Sequence, residues 1–313
     1  MARALRIEYE NAFYHVIQRG IERKNIFSRD ADKDKFLSYL NQAHTSYGAI
    51  LHGYALMDNH YHIIIETPRA NLSKIMHFLN TSYAVYFNTK TKRVGPLYQG
   101  RYKAILVQED GYLHYLSRYI HLNPVRSNLV KDPMGYPWSS YKYFVLKEAS
   151  CPRWLNTGLM LSMFDKDTPK ARKLYKEFVF DGIGKEDAFI KENTIAGFVL
   201  GDTGFLEKVK SRFAKSENYE VPVLNQLRRI GEPALEQIKK VVQDKIPHKA
   251  RLQRKLAIYL SRKLTQNSLM HIADFYGDIR YSGVSQIVRR VDVTRLEDKQ
   301  LDNTLRAMEK QLI

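Results

Sequence analysis

Strand-like and helix-like hydrophobic patterns alternate along the first 125 residues of the chain. Apolar and polar residues alternate at residues 11–19, which predicts a strand, and apolar residues recur at helical spacing over residues 30–47. Two runs rich in β-formers, residues 50–57 and 61–66, flank the turn pair Asp58-Asn59. A helical pattern, a strand and a further helical pattern follow at residues 72–86, 102–108 and 111–122. The predicted order is therefore strand, helix, strand, strand, helix, strand and a final helix.

This order predicts the α+β class, with a ferredoxin-like antiparallel sheet and helices on one face. Prolines at 133, 137 and 152 then mark a boundary, and the weak pattern beyond it predicts an all-α middle region with glycine-rich breaks. Helical periodicity sharpens again near the C-terminus, where it predicts short helices at residues 250–264, 268–276, 282–291 and 296–312. We therefore expect three domains: an α+β domain at 1–130, a mostly helical region at 131–245 and a trihelical helix-turn-helix module at 246–313.

Composition excludes several classes of protein and indicates a negatively charged partner. The 313 residues carry 50 Lys and Arg against 33 Asp and Glu, a net charge of +17 with a pI near 9.7, and 44% are hydrophobic. A chain this apolar builds cores, so a disordered basic tail is excluded, and the single Cys151 excludes a disulfide scaffold or a Cys-rich zinc module. The sequence has neither the ~18–20 apolar residues of a membrane span nor the apolar stretch of a signal peptide. We expect a soluble, cytoplasmic protein that binds polyanions and no membrane.

Two histidines, His60 and His62, are the first candidates for chemistry. Because successive side chains of a strand point to opposite faces, both imidazoles share one face, with Cβ atoms about 7 Å apart, a span that one metal ion can bridge. Tyr61 and Ile63 point to the other face. An isolated His-x-His in an apolar strand is more often structural than metal-binding, so the segment that follows decides between these interpretations.

Residues 112–124 supply the second half of the candidate site. In a helix, Tyr115, Tyr119 and Asn123 recur every four residues and line one stripe. A phenol and an amide oxygen beside two imidazoles would form a site for Mg²⁺ or Mn²⁺ next to a nucleophile, with positions left for water and phosphate oxygens. The same spacing fits two core aromatics and an asparagine that ends the helix, and the spacing alone favours that packing role.

Five short motifs carry a resemblance to a known family: HYH (60–62), RYIHLNPVR (118–126), FYHVIQRG (13–20), YQGRYK (98–103) and PWSSY (137–141). Over roughly residues 1–145 the chain resembles the single-tyrosine transposases of the HUH class, in particular their REP-associated branch. The resemblance implies that His60 and His62 are metal ligands and that Tyr119 is the nucleophile. It also implies that Asn123 stands at the position of a third, amide ligand, where many insertion-sequence relatives carry Gln.

The resemblance implies single-stranded or hairpin DNA as the partner. In such an enzyme the tyrosine attacks a phosphodiester, stays joined to the 5′-phosphate and releases a 3′-OH, which can later attack the phosphotyrosine and rejoin strands. Some relatives pair the tyrosine of one subunit with the metal of another and others resemble monomers, so a homodimer stays open.

His15, on the neighbouring strand, is expected to be structural. The candidate phosphate contacts are basic residues of this part of the chain: Arg19, Arg101, Lys103, Arg118 and Arg126.

The C-terminal helical pattern, with its tight glycine turn and flanking basic residues, has the form of a helix-turn-helix DNA reader. Its motifs AIYL (257–260), FYG (275–277) and SGV (282–284) resemble the C-terminal DNA-binding domain of the replication initiator DnaA. The sequence departs from that family at Arg280-Tyr281, so the same target is not implied. A helical bundle that only packs on the first domain is the alternative. The candidate duplex contacts are Arg280, Tyr281, Ser282, Ser285, Gln286 and Arg289.

The leading hypothesis is a metal-dependent single-stranded DNA endonuclease and strand transferase with a phosphotyrosine intermediate and a duplex-reading appendage. A DNA-binding regulator that keeps the fold without turnover is the first alternative. An RNA-binding protein that stacks bases on its sheet is the second, and the paired histidines and Tyr119 speak against it, since stacking needs neither.

Overall fold

The computed structural model describes residues 7–147, 151–185, 188–195, 197–214, 233–265 and 267–312. The chain folds as two compact units, Met1–Val209 and Lys210–Ile313. The first unit thus includes a large part of the region that the sequence assigns to a separate middle domain. No helix in the described part of the chain is both long and apolar enough to cross a membrane.

The first unit is built on an antiparallel sheet of β1 (Ala12–Arg19), β2 (Ile50–Met57), β3 (His60–Thr67) and β4 (Lys103–Val107). The strand order is β2-β3-β1-β4, and each of these neighbouring pairs is antiparallel. This is the ferredoxin-like arrangement expected from the order of the patterns, and the predicted α+β class is confirmed.

One face of the sheet packs against α1 (Asp30–Tyr47) and α2 (Leu72–Thr91). Tyr61, Ile63 and Ile65 of β3 are buried there, each at 2% exposure or less. The ring of Phe36 lies 4.7 Å from that of Tyr61 and 5.2 Å from that of Tyr83, centre to centre. This face is a dry aromatic core, as the helical spacing of apolar residues in α1 and α2 predicts.

The opposite face packs against α3 (Glu109–His121), which is followed at once by the short α4 (Asn123–Arg126). Leu113, Leu116 and Ile120 of α3 pack with Ile64 of β3 in one buried cluster. The helix that follows the ferredoxin-like set therefore covers the face that carries His60 and His62.

After α4 the first unit contains α5 (Tyr141–Val145), α6 (Gly158–Ser162), α7 (Thr168–Asp181), α8 (Ala188–Glu192), β5 (Thr194–Ile195) and β6 (Val199–Leu200). The next helix, α9 (Thr203–Ala214), crosses the boundary between the two units. Short 3₁₀ helices lie at Ile21–Arg23 and Pro133–Gly135.

Both edges of the four-stranded sheet are covered by segments of this chain. At one edge β6 pairs in parallel with β4, and β5 pairs with β6, so the region predicted to be all-α contributes two strands. Strands of two residues are too short for a hydrophobic pattern to reveal. At the other edge the backbone N–H of Leu56 donates to the carbonyl of Trp138 and that of Asn156 donates to the carbonyl of Leu51.

The second unit contains α10 (Leu235–Lys245), α11 (Ala250–Leu264), α12 (Leu269–Tyr276), α13 (Tyr281–Glu297) and α14 (Lys299–Leu312). Its main core joins Ile238 and Val242 of α10 with Leu256 and Leu260 of α11 and with Leu305 of α14. The predicted trihelical module corresponds to α11–α13. Because α10 shares its core, the compact unit begins before residue 246.

Candidate active site on the sheet

His60 and His62 lie side by side on the face of β3 that α3 covers. Their ring centres are 5.1 Å apart, with the ring planes at 78°. Both residues are buried, at 8% and 4% exposure. Strand alternation produces this pair, as the sequence predicts, and places Tyr61 in the aromatic core behind it.

The amide of Asn59 sets the hydrogen-bonding state of His60. Its oxygen Oδ1 lies 2.6 Å from Nδ1 of His60, while its nitrogen Nδ2 donates to the carbonyl of Arg23 at 3.1 Å. An amide oxygen can only accept, so Nδ1 of His60 carries the proton and Nε2 keeps its lone pair. That lone pair is what a metal ion would need.

His15 of β1 contacts His62 directly. Nε2 of His15 lies 2.8 Å from Nδ1 of His62, and the two rings are stacked with centres 5.1 Å apart. If Nδ1 of His62 donates in this contact, Nε2 of His62 is left as a free lone pair. The sequence analysis treats His15 as structural; its partner in space is 47 residues away, which no local pattern indicates.

Burial keeps the three imidazoles neutral. Desolvation, reinforced by the charge of Arg19, lowers the pKa of His60 to about 4. Desolvation and the charge of Lys103 lower the pKa of His15 to about 3, and desolvation holds that of His62 well below its usual value. Neutral imidazole is the form that binds metal ions.

Tyr119 of α3 stands edge-on above the histidines. Its ring centre lies 5.8 Å from that of His62 and 5.9 Å from that of His15, at interplanar angles of 80° and 75°. The guanidinium of Arg126 lies 5.3 Å from the centre of the phenol ring and donates to the backbone carbonyl of Tyr119 at 3.0 Å. The two tyrosines on the preceding turns differ, since Tyr115 stacks on Phe189 at 3.9 Å and Tyr112 packs on the same ring.

Asn123 brings an amide to the same place. It is the first residue of α4 and is 9% exposed. Its amide nitrogen lies 3.4 Å from Nε2 of His62. The two ends of an amide exchange by a simple flip, which would turn Oδ1 toward the imidazoles. His60, His62, Tyr119 and Asn123, predicted from two separate segments, therefore converge.

This donor set is small. Within the ranges that the structure describes, no group of three or more His, Cys, Asp or Glu side chains is disposed to hold a metal ion. Two imidazole nitrogens and one amide oxygen would leave most positions of an octahedral ion to water or to the oxygens of a phosphate. Such a set suits a metal that is shared with a phosphodiester substrate.

The predicted basic contacts lie in different surroundings. Arg19 and Lys103 extend from β1 and β4 on the histidine face and are exposed, as is Arg101 in the segment before β4. Arg126 lies beside Tyr119. Arg118 differs, because its guanidinium packs 4.3 Å from the ring of Phe178 and 5.1 Å from that of Tyr115 and joins α3 to α7.

A cavity opens beside Tyr119, and one wall comes from a segment that the sequence analysis does not assign to the site. Its lining includes Tyr119, Arg126, Asn128 and, after α7, Gly184 and Lys185. The segment after α7 passes close to the end of α3 because Gly182 has no side chain. A Cβ at this position would lie within 3 Å of side-chain atoms of Leu122 and Arg118. The glycine-rich break at 181–184 is the only signal of this approach in the sequence.

A buried polar network fixes the end of α3. Nδ1 of His121 lies 2.6 Å from the hydroxyl of Tyr175 in α7, and Nε2 lies 2.7 Å from Oγ of Ser140. Ser140 in turn bonds the backbone of Tyr54 in β2. Burial lowers the pKa of His121 to about 3, so its ring is neutral. His121 therefore bonds Tyr175 and Ser140 and anchors the helix that carries Tyr119.

In the second unit, α12 and α13 are joined by a tight turn in which Gly277 has a φ of 62°. The six residues predicted to contact duplex DNA are all exposed around the start of α13: Arg280, Tyr281, Ser282, Ser285, Gln286 and Arg289. The buried Val284 of the same helix packs with Ile258 and Ile272, which leaves the opposite side of α13 open to a partner.

Known proteins are similar to parts of this chain. Residues 8–123 match the family model described as "Transposase IS200 like". The chromosomal replication initiator proteins DnaA of Bordetella pertussis and Bordetella petrii are 31% identical over 94 residues, which cover 26% of this chain and 20% of each relative. The chain thus spans about a fifth of the length of these curated relatives.

A solved structure of a REP-associated tyrosine transposase bound to a REP hairpin aligns with a TM-score of 0.41 and 12% identity, over 50% of this chain and 98% of that one. The segment matched by the family model holds the three imidazoles, Tyr119 and Asn123. Residues 8–123 are therefore similar to the IS200-like transposases, the likeness expected from the motifs.

Proposed function

We propose that this protein is a metal-dependent single-stranded DNA endonuclease and strand transferase that cuts through a 5′-phosphotyrosine at Tyr119. The observation that carries the proposal is the position of the Tyr119 ring, edge-on to the buried pair of neutral imidazoles. The match of residues 8–123 to IS200-like transposases supports the same reaction class.

His60, His62 and Asn123 would hold the metal, Mg²⁺ or Mn²⁺. When bound, such an ion polarises the scissile phosphate and stabilises the departing 3′-oxygen. Asn59 and His15 would orient the two imidazole ligands. Asn59 contacts Nδ1 of His60 and His15 contacts Nδ1 of His62, and in each case Nε2 is left for the metal.

Tyr119 would supply the nucleophile. Its phenolic oxygen forms a bond to phosphorus as the bond to the 3′-oxygen breaks, and the phenol proton passes to solvent while the 3′-oxygen gains one. The product is a DNA 5′-phosphate esterified to Tyr119 and a free 3′-OH. Attack by a 3′-OH on that ester reverses the exchange and joins strands. Because Tyr119 lies against His62 of its own chain, we propose that it acts without a second subunit.

The second unit would add duplex recognition. Its helix-turn-helix arrangement, the exposed candidate residues of α13 and the partial identity to DnaA proteins support this role. Phosphate-contacting arginines such as Arg289 should weaken binding to every duplex when removed, whereas base contacts should weaken only the preferred one.

The test is covalent capture. Labelled hairpin DNA with single-stranded flanks is incubated with Mn²⁺ and run on a denaturing gel. Wild-type protein and Tyr115→Phe should form the adduct, and Tyr119→Phe should form none while still binding the DNA. An adduct retained by Tyr119→Phe would contradict the assignment, and no adduct with any DNA offered would favour the DNA-binding regulator without turnover.

A further inference from the structure

A groove of about 870 Å³ lies between α5, α6 and α7, outside the candidate active site. Four lysines line it, Lys147, Lys166, Lys173 and Lys176, and all are exposed. The one carboxylate in its lining, Asp165, is already bonded at 2.5 Å to the ammonium of Lys170, which lies outside the groove. The groove therefore carries an excess of positive charge.

The lining of the groove is partly apolar. Val145, Leu161, Pro169 and Ala171 contribute to it together with the lysines. Lysines along a partly apolar channel match a polyanion with flat apolar bases better than they match an isolated phosphate or a small ligand, which needs a more enclosed site.

Helix α7 connects this groove to the cavity beside Tyr119. Lys173 and Lys176 belong to α7, and the residues that follow its last turn, up to Lys185, line the Tyr119 cavity. At 1.5 Å per residue, the helical part of this path, from Lys173 to Asp181, is roughly 12 Å long. A stacked strand advances about 3.4 Å per nucleotide, so this part of the path corresponds to about three to four nucleotides.

The path is held rigidly to the catalytic helix. On its inner side α7 buries Ala171, Tyr175 and Val179 in the core cluster that also holds α3. Tyr175 bonds His121, and Nη1 of Arg172 donates at 2.7 Å to the carbonyls of Tyr143 and Leu146. The outer side, with its lysines, is therefore fixed relative to Tyr119.

We propose that α7 is a DNA track: the single strand that flanks the scissile phosphate runs from Tyr119 along α7 into the lysine groove. This inference rests on the proposed function, because it places the cleaved phosphate at Tyr119. It assigns a role to the middle region that lies outside the residues matched by the transposase family model.

The test compares two triple variants. The groove variant is Lys166→Gln/Lys173→Gln/Lys176→Gln. The matched control is Arg69→Gln/Lys74→Gln/Lys92→Gln, which removes the same charge from exposed residues on or near α2, on the other side of the sheet. Affinity is measured over a range of salt concentrations for a short strand around the cleaved phosphate and for strands extended by six nucleotides on either side.

For one of the extended strands, the groove variant should lose roughly tenfold in affinity and its slope of log K against log salt should fall by about 2, since single strands lose about 0.7 for each phosphate contact. The short strand should bind the groove variant and the control equally. Equal losses in both variants, or equal losses for short and extended strands, would overturn the track. The track is tested by DNA affinity alone. Adduct formation by wild-type protein therefore tests the proposed function separately.

Discussion

The two faces of the ferredoxin-like sheet are built from the same strands but bury different kinds of side chain. Behind β3, Tyr61 packs with Phe36 and Tyr83 in an aromatic core under α1 and α2. In front of β3, His60 and His62 lie in a buried polar site under α3 and α4. The first face is an apolar core, whereas the second combines an apolar cluster with polar groups whose burial costs stability unless they are hydrogen-bonded.

The difference shows how the side chains of the candidate site are held in place without charged groups. The imidazoles are positioned by neutral hydrogen bonds to Asn59 and His15, while adjacent residues of the same strand supply the apolar packing. Substitutions on the two faces should therefore separate chemistry from stability, and four predictions test that separation.

The largest effect should come from His62→Ala. Removing this imidazole takes away a proposed metal ligand and the partner of Asn123, so Mn²⁺-dependent adduct formation should fall below detection. The control one residue away is Tyr61→Phe, which loses a 2.6 Å bond from its hydroxyl to Asn80 and should cost about 1 kcal/mol of stability with adduct formation intact. Full cleavage by His62→Ala in the presence of EDTA would end the metal role.

On the aromatic face, Phe36→Ala should lower the free energy of unfolding by about 3–5 kcal/mol, because it empties a fully buried position among Phe27, Tyr61 and Tyr83. Urea unfolding measures this loss. The protein that stays folded at low temperature should still form the adduct at the wild-type rate. A specific loss of adduct formation would mean that the two faces are coupled.

Acid should destabilise the fold through the buried His121. Unfolded histidine takes up a proton near pH 6.5, whereas His121 stays neutral in the fold until about pH 3. The unfolded state thus binds more protons between these values, and stability falls as the pH drops. For His121 alone the loss by pH 5 is about 2 kcal/mol.

His121→Gln keeps an amide for Tyr175 and Ser140 without titrating, so its unfolding free energy should fall about 2 kcal/mol less than that of the wild type between pH 7.5 and 5. Exposed His77→Gln on α2 is the control and should leave the pH dependence as it is in the wild type. Identical acid sensitivity in all three proteins would show that His121 is not the titrating group.

The smallest effect should come from His15→Leu. Its loss frees Nδ1 of His62 and loosens the ring, so affinity for Mn²⁺ should fall roughly tenfold, as read from the paramagnetic resonance of the free ion. Ile17→Leu, on the same face of β1, is the matched control and should bind Mn²⁺ as the wild type does. Unchanged affinity in His15→Leu would return His15 to the structural role first assigned to it.

Local patterns predicted the parts of this site that depend on local geometry. Alternation along β3 places His60 and His62 together, and helical spacing in α3 brings Tyr119 to the same face. Asn123 does not reach the site by helical spacing along α3. That helix ends at His121, and Asn123 is the first residue of α4, directly before Pro124.

The parts that escaped prediction depend on long-range pairing. His15 meets His62 through the register of β1 on β3, where Ile17 is opposite His62. Lys185 reaches the Tyr119 cavity because Gly182 lets the chain pass close to α3. Neither a strand register nor a loop path is encoded in the spacing of residues within one segment.

The covered edges of the sheet bear on how copies of this protein could associate. β6 pairs with the end of β4, and the segments at Trp138 and Asn156 bond to β2, so part of each edge of the four-stranded sheet is already hydrogen-bonded within the same polypeptide. Joining two such sheets edge to edge through these residues would first require a native segment to detach. Self-association through other surfaces carries no such requirement.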